Sequence, residues 1–130
     1  MSYKFGQLTQ NFHIDEFACN DKNRTPVLNE YILNVLQLAH NLQVLRDYFQ
    51  CTITVNSGYR TPLYNSSIGG ALNSQHLKAK AADIVVKGKT PMEVYDAIEK
   101  LISTGKMCDG GLGLYKTFVH YDVRGVKARW

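Results

Sequence analysis

The segment from Leu28 to Phe49 constrains the fold of this chain more than any other. Apolar side chains recur there every three or four residues, with mostly polar residues between them. The apolar positions are Ile32, Val35, Leu36, Ala39, Leu42, Leu45 and Phe49. This spacing places them on one face of an α-helix, which has to be buried against other elements. The segment therefore predicts a long amphipathic helix. His40 within it has no ligand-spaced partner and is interpreted as structural.

The next segments carry strand patterns and a second helix start. Thr52 to Asn56 alternates and contains β-branched residues, and Ala81 to Val86 is a short apolar run, so both predict β-strands. Thr90-Pro91-Met92-Glu93 supplies an N-cap, a first-turn proline and a capping box. A second helix is therefore predicted from this point to about Ser103.

The remaining segments complete an α+β pattern. Thr61 to Ser74 is rich in Gly, Asn, Ser and Pro, and predicts a long surface loop. Gly111 to Tyr115 and Phe118 to Val123 predict two strands that form a hairpin. The order helix, strand, loop, strand, helix, strand, strand is typical of α+β folds. We predict one domain over residues 1–130, in which a small, mainly antiparallel sheet packs against the long helix.

Charge and composition exclude several classes of protein. The chain has 130 residues, of which 45% are hydrophobic and 20% charged, as in ordinary globular domains. Its net charge of +4 is scattered, and the densest basic group is Arg124, Lys127 and Arg129. Such a charge favours encounter with an anionic polymer such as a bacterial wall, although solubility alone is the simpler interpretation. We predict a monomer with no nucleic-acid partner and no stable membrane insertion.

The cysteines and the N-terminal segment bear on the cellular compartment. Cys19, Cys51 and Cys108 are odd in number and lie far apart, which argues against a disulfide framework and a zinc ribbon. The N-terminal residues lack the apolar stretch of a secretory signal. These features predict a protein that is cytoplasmic as synthesised, so action on a cell wall would require release.

Two histidines and an aspartate form the candidate site. Six residues separate His76 from Asp83, and His120 lies on a later predicted strand. Two imidazoles and a carboxylate suit a tetrahedral Zn²⁺ whose fourth position is left to water. Such an ion would polarise a scissile carbonyl and activate water. The spacing alone is a weak signal, because it arises often by chance.

Longer motifs around these residues occur in a characteristic order. They are Ser57-Gly58-Tyr59-Arg60, Tyr64-Asn65, Gly69-Gly70-Ala71, Ser74-Gln75-His76-Leu77, Ala81-Ala82-Asp83-Ile84, Gly110-Gly111-Leu112-Gly113 and Phe118-Val119-His120-Tyr121-Asp122-Val123-Arg124. The series closely resembles the M15 family of zinc D-Ala-D-Ala carboxypeptidases and L-alanyl-D-glutamate endopeptidases, especially its short phage- and prophage-encoded branch. The resemblance covers nearly the whole chain. It implies a hedgehog/D-Ala-D-Ala-peptidase-like fold with a zinc site at the sheet face.

The resemblance also implies roles for individual residues. His76, Asp83 and His120 match the family's metal ligands, and Arg60 matches an arginine that faces the substrate. Independently, a guanidinium near zinc suits a peptide carboxylate or a developing oxyanion. Ser74 matches a serine two residues before the first ligand, where it serves either as a substrate hydrogen-bonding group or as a loop-turn residue.

The chain departs from the family pattern at three positions. Many members have a glycine in place of Ala79, which matters if the backbone there needs a positive φ. Better-studied members carry a catalytic Glu or Asp three residues before the last histidine ligand, where this chain has Thr117. Some members have a histidine two residues before that ligand, where this chain has Phe118. Thr117 cannot act as a base near neutral pH, so another residue is needed.

Asp122 is the candidate that replaces the missing acid. Residues two apart on a strand point to the same face, so Asp122 is expected beside His120. It could act as the general base, orient an imidazole, or form an ion pair with Arg124. These three roles stay open at the sequence level. His13 is interpreted as a surface or packing residue, and Tyr115 as a packing residue.

The leading functional hypothesis is zinc-dependent hydrolysis of an amide bond in peptidoglycan peptides, in cell-wall lysis or remodelling, with a phage endolysin as one setting. Carboxypeptidase and endopeptidase activity are not separable from the sequence. The alternative is a non-catalytic, zinc-containing peptidoglycan-binding module or a virion wall-docking domain. The hedgehog signalling domains show that a peptidase-like zinc centre need not be catalytic.

Overall fold

The computed structural model describes residues 5–130, so the first four residues considered in the signal-sequence prediction lie outside it. The helices are α1 (Ile32–Phe49), α2 (Pro62–Ser67) and α3 (Pro91–Ser103). The strands are β1 (Ile53–Ser57), β2 (Ala81–Val86), β3 (Gly111–Leu114), β4 (Val119–Asp122) and β5 (Ala128–Arg129). Short 3-10 helices lie at Ile14–Phe17, Asn29–Tyr31 and Gln75–Lys78.

The five strands form one sheet in the order β1-β2-β4-β3-β5. The first three pairings are antiparallel, and only β3 with β5 is parallel. β3 and β4 form the predicted hairpin, closed by a hydrogen bond from the Tyr115 N–H to the Phe118 carbonyl at 3.1 Å. The predicted α+β class with a mainly antiparallel sheet is therefore confirmed.

The core lies between one face of this sheet and helices α1 and α3. Ala82, Tyr121 and Leu112 are directly opposed across β2, β4 and β3, and all three are fully buried. The buried stripe of α1 consists of Val35, Leu38, Ala39, Asn41, Leu42 and Leu45. Because side chains alternate along a strand, the residues between these core positions point to the other face of the sheet.

Helices α2 and α3 begin at capping signals of the sequence, whereas α1 begins at Ile32 without a side-chain cap. Thr90 caps α3 by accepting from the Glu93 N–H, and the Glu93 side chain accepts from the Thr90 N–H, which completes the predicted capping box. The prediction that residues 61–74 form a loop was wrong in part, because α2 occupies positions 62–67. Helix α2 begins in the same way as α3, with a threonine N-cap (Thr61) followed by a proline (Pro62).

Strand β5 was not predicted. It lies within the basic C-terminal group, whose arginines are bound by acidic residues of the same chain. Arg129 on this strand is bound by Glu99 of α3 at 2.9 Å and by Asp109 at 2.8 Å. Arg124 is paired with Asp122. Arg124 and Arg129, two of the three basic residues, are therefore engaged in ion pairs within the chain, and only those of Arg129 lie at this edge of the sheet. Within the described part of the chain, no helix combines the length and the apolar character needed to cross a bilayer.

Candidate metal centre

The candidate site lies on the face of the sheet opposite the core. Asp83 on β2, His120 on β4 and Gly113 on β3 are paired positions that form a row across three neighbouring strands. Directly opposed residues of antiparallel strands project from the same face. Strand pairing therefore brings Asp83 and His120 together although they are far apart in sequence.

His76 reaches the same point from outside the sheet. It lies on the 3-10 helix at Gln75–Lys78, which Ser74 caps by accepting from the His76 N–H at 3.2 Å. His76 Nε2 is 3.3 Å from Asp83 Oδ1, and His120 Nδ1 is 3.1 Å from the same oxygen. One ligand atom from each of the three residues lies within 4.8 Å of the other two. All three residues are buried.

The chemistry of these donors fits a metal ion. His76 Nδ1 is 2.7 Å from the carbonyl oxygen of Gly58, which can only accept, so the proton resides on Nδ1 and Nε2 keeps its lone pair. His120 Nε2 is 2.7 Å from Asp122 Oδ2, so its Nδ1 faces Asp83. Each imidazole is thus oriented by an outer partner, as in histidine-zinc sites. Their role as ligands stays a prediction.

Electrostatics within the group favour a charged Asp83. Burial alone would raise the pKa of Asp83, but the neighbouring imidazoles of His120 and His76 outweigh it and leave the pKa well below its ordinary value. Burial alone would lower the pKa of His120, but its bonds to Asp122 and Asp83 raise it instead. The carboxylate of Asp83 is therefore ionised at neutral pH, as a metal ligand must be.

Asp122 is placed beside His120 but faces away from Asp83. Its Oδ1 accepts from the N–H of Gly111 at 2.8 Å and from Arg124 Nε at 2.9 Å. Its Oδ2 accepts from Arg124 Nη2 at 2.8 Å and bonds His120 Nε2. The side chain is fully buried. These contacts favour the orienting role and the Arg124 ion pair over the base role, because both oxygens are engaged away from the open site.

The three residues lie at the side of a cleft of about 570 Å³. Arg60 lines it, and its Nη2 is 3.4 Å from Asp83 Oδ2. Arg60 is further held by Ser57 Oγ at 3.3 Å and Asn65 Oδ1 at 3.2 Å. Ser74 also lines the cleft, while its hydroxyl caps the helix of His76. The loop-turn role of Ser74 is thus observed, and its contact with substrate stays a prediction.

Two residues that depart from the family pattern, Ala79 and Thr117, lie in turns beside the sheet strands. Ala79 adopts a left-handed backbone conformation with φ 57°. This conformation favours glycine over a residue that has a Cβ. Thr117 is exposed at the hairpin turn. Among residues 5–130, Asp83 is the only acidic side chain that lines the cleft. His13 caps the first 3-10 helix and His40 is exposed on α1, so neither reaches the site.

Sequence reasoning missed two aromatic residues at the cleft. Tyr115, interpreted as a packing residue, is 41% exposed and lines the cleft together with Trp130. The Trp130 ring lies 5.0 Å from the ring of His120. The only sequence signal was the position of Tyr115 at the end of a strand that approaches the site. No local pattern indicated Trp130.

Known proteins resemble this chain over most of its length. A family model described as Peptidase M15 matches residues 10–122. The chain is also 31% identical over 119 residues to a protein of Haemophilus influenzae described as the probable peptidoglycan L,D-endopeptidase MepK. That alignment covers 86% of this chain and 60% of the relative, so the chain spans less than two thirds of the relative's length.

Proposed function

Because this chain belongs to the peptidase M15 family, we propose that it is a zinc metallopeptidase that hydrolyses amide bonds in the peptides of bacterial peptidoglycan. The observation that carries the proposal is the convergence of His76, Asp83 and His120 beside an open cleft. The description of the relative supports peptidoglycan as the substrate and favours an endopeptidase over a carboxypeptidase. We further propose one catalytic domain over the whole chain, of the short type found in phages.

The residues of the cleft supply complementary functions. A zinc ion bound by the three predicted ligands would provide the Lewis acid that polarises the scissile carbonyl and activates water. Arg60 retains N–H groups that can donate to the carbonyl oxygen as it gains negative charge. Of the three roles predicted for Asp122, we propose the orienting one, in which it fixes the tautomer and the ring position of His120.

A second candidate is a zinc-containing module that binds peptidoglycan without cleaving it. The observation that favours it is the lack of a free carboxylate in the cleft, where Asp83 is the only acidic side chain among residues 5–130. Thr117 occupies the position of the family's catalytic acid and is exposed at a turn. This candidate predicts retention on the wall without new amine ends.

Digestion of purified peptidoglycan, followed by mass spectrometry of the muropeptides, separates the two candidates. We expect new peptide fragments with zinc added and none after chelation, because the metal is needed for carbonyl activation. The masses identify the bond that is cut, and therefore the endopeptidase or carboxypeptidase type. Wall binding by the zinc-loaded protein with unchanged muropeptides would reject the enzymatic proposal.

Arg60→Ala is expected to lower kcat/KM by about 100-fold, because a cleft donor to the developing oxyanion is lost. Arg60→Lys should recover only part of this, since an ammonium keeps the charge but not the planar fork. Zinc content should stay at the wild-type level in both variants. Kinetics on a soluble muropeptide measure the effect. Equal kcat/KM in wild type and Arg60→Ala would show that Arg60 serves only its ion pair with Asp83.

A further inference from the structure

Strand β3 places two glycines on the face of the sheet that carries the candidate metal centre. Gly113 is directly opposed to His120 on β4. A Cβ at Gly113 would collide with the indole of Trp130. Two residues earlier, a Cβ at Gly111 would collide with the carboxylate of Asp122. We name Gly111 and Gly113 the glycine floor, because their lack of side chains creates the space in which the indole and the carboxylate lie.

Hydrogen bonds fix the position of Trp130 over the glycine floor. The Trp130 N–H donates to the Leu112 carbonyl at 3.1 Å, and the Trp130 carbonyl accepts from the Leu114 N–H at 2.8 Å. In the side chain, Nε1 donates to the hydroxyl of Tyr115 at 2.8 Å. The indole therefore has a defined place on the sheet, although Trp130 is 46% exposed.

The imidazole of His120 is held at its nitrogens by carboxylates and at its ring by aromatic neighbours. Nδ1 faces Asp83, and Nε2 lies 2.7 Å from Asp122. The ring centroid of His76 lies 5.2 Å from that of His120, and the ring centroid of Trp130 lies 5.0 Å from it. Packing against the ring limits its tilt, which hydrogen bonds at the nitrogens alone leave less restricted. Since His76 is itself a predicted ligand, Trp130 is the supporting ring.

The same indole also covers the outer end of the hydrogen-bonded chain behind His120. Arg124 donates to both oxygens of Asp122, and its guanidinium lies 5.4 Å from the Trp130 ring. A cation over an aromatic face is attracted to it. Asp122, between His120 and Arg124, has a fully buried side chain. Because hydrogen bonds shielded from water are stronger, the indole favours one arrangement of the whole chain.

We propose that Trp130 is a positioning residue for the candidate metal centre: it packs on His120 and Arg124 over the glycine floor and holds the imidazole of His120 in the orientation that binds zinc. The inference deepens the proposed function and rests on it, because it takes His120 to be a zinc ligand. The role requires no contact between the indole and a substrate. It is therefore testable on metal binding and on the metal-free protein.

Competition with a chromophoric chelator measures the zinc affinity of the variants. Trp130→Ala should weaken zinc binding about tenfold, the lower end of the cost of losing an outer partner of a zinc ligand. Trp130→Phe should recover most of this loss, because it keeps a ring against His120. Gly113→Ala should weaken binding by a similar factor, because the added methyl group displaces the indole.

The double variant Gly113→Ala/Trp130→Ala tests whether the two positions act as one unit. The three atoms nearest to a Cβ at Gly113 all belong to the indole, so without the indole the methyl group should add no further loss. The double variant should therefore match Trp130→Ala within about twofold, whereas independent positions would give losses that multiply.

Proton NMR of the metal-free protein gives a second readout. The ring N–H of His120 is at Nε2, against a carboxylate, and that of His76 is at Nδ1, against the Gly58 carbonyl. Both should appear in the wild type as separate downfield signals, because buried, hydrogen-bonded N–H groups exchange slowly with water. Trp130→Ala and Gly113→Ala should broaden or remove the His120 signal. The His76 signal should persist in both variants and is the internal control.

Tyr48→Ala is the matched aromatic control, since Tyr48 is also 46% exposed but lies on α1 outside the cleft. Wild-type zinc affinity in Trp130→Ala and Gly113→Ala would overturn the proposal, whether or not KM for a soluble muropeptide changes. Multiplied losses in the double variant would overturn it as well. If Trp130→Ala does not fold, Gly113→Ala decides by both readouts. If the wild type binds no zinc, the proposed function fails, and a His120 signal that persists in both single variants would still reject the positioning role.

Discussion

Asp83→Ala is expected to lose zinc binding and to lower peptide hydrolysis by at least about 1,000-fold. Asp83 is the only charged member of the predicted ligand set, and its Oδ1 is the atom to which both His76 and His120 converge. Without it, two neutral imidazoles remain, and neither the charge nor the geometry of a three-residue zinc site is preserved. The fold should persist, because Arg60 keeps its contacts with Ser57 and Asn65.

Zinc content after dialysis and turnover of a soluble muropeptide measure this prediction. Asp96→Ala is the matched control, because Asp96 is exposed on α3 and lies outside the cleft. It should match the wild type in both measurements. Circular dichroism should show the same secondary structure in all three proteins. Stoichiometric zinc or undiminished turnover in Asp83→Ala would rule out the proposed metal centre.

Asp122→Ala is expected to be the most destabilising substitution near the site. It leaves the N–H of Gly111 without its partner and removes both acceptors of Arg124. Breaking a fully buried ion pair costs about 3–5 kcal/mol. Since the Arg124 side chain is 27% exposed, we expect a somewhat smaller loss of unfolding free energy, about 2–4 kcal/mol. Zinc affinity should fall about 10- to 100-fold, because His120 loses its orienting partner.

Asp122→Asn separates the structural effect from the orienting effect. The amide keeps the volume and one acceptor oxygen, so the variant should unfold closer to the wild type in denaturant titrations. It should still bind zinc more weakly than wild type in a competition titration, since an amide is a poorer acceptor for the His120 N–H. Wild-type zinc affinity with abolished turnover would instead identify Asp122 as the general base. Wild-type zinc affinity and wild-type turnover in both variants would show that Asp122 serves only its ion pair with Arg124.

Much of the fold was predictable because its signals are local. The capping box at Thr90 and Glu93 lies within one helical turn, and the pattern of β2 and of the β3–β4 hairpin needs no distant residue. The same kind of signal at Thr61 and Pro62 was present but was outweighed by the loop-like composition that follows. The ordered motifs around His76, Asp83 and His120 indicate the candidate ligands only through their resemblance to a known family.

The sequence by itself therefore determined the α+β class, because periodicity and capping act over a few residues, and the family resemblance carried by its short motifs indicated which three side chains meet. Only the tertiary structure decided what surrounds them. β5 has two residues, too few for any periodic pattern, and its parallel pairing with β3 places Trp130 at the cleft. The register of β2 against β4 aligns Asp83 with His120. Such pairings depend on long-range packing, in which distant segments become neighbours only when the whole sheet forms.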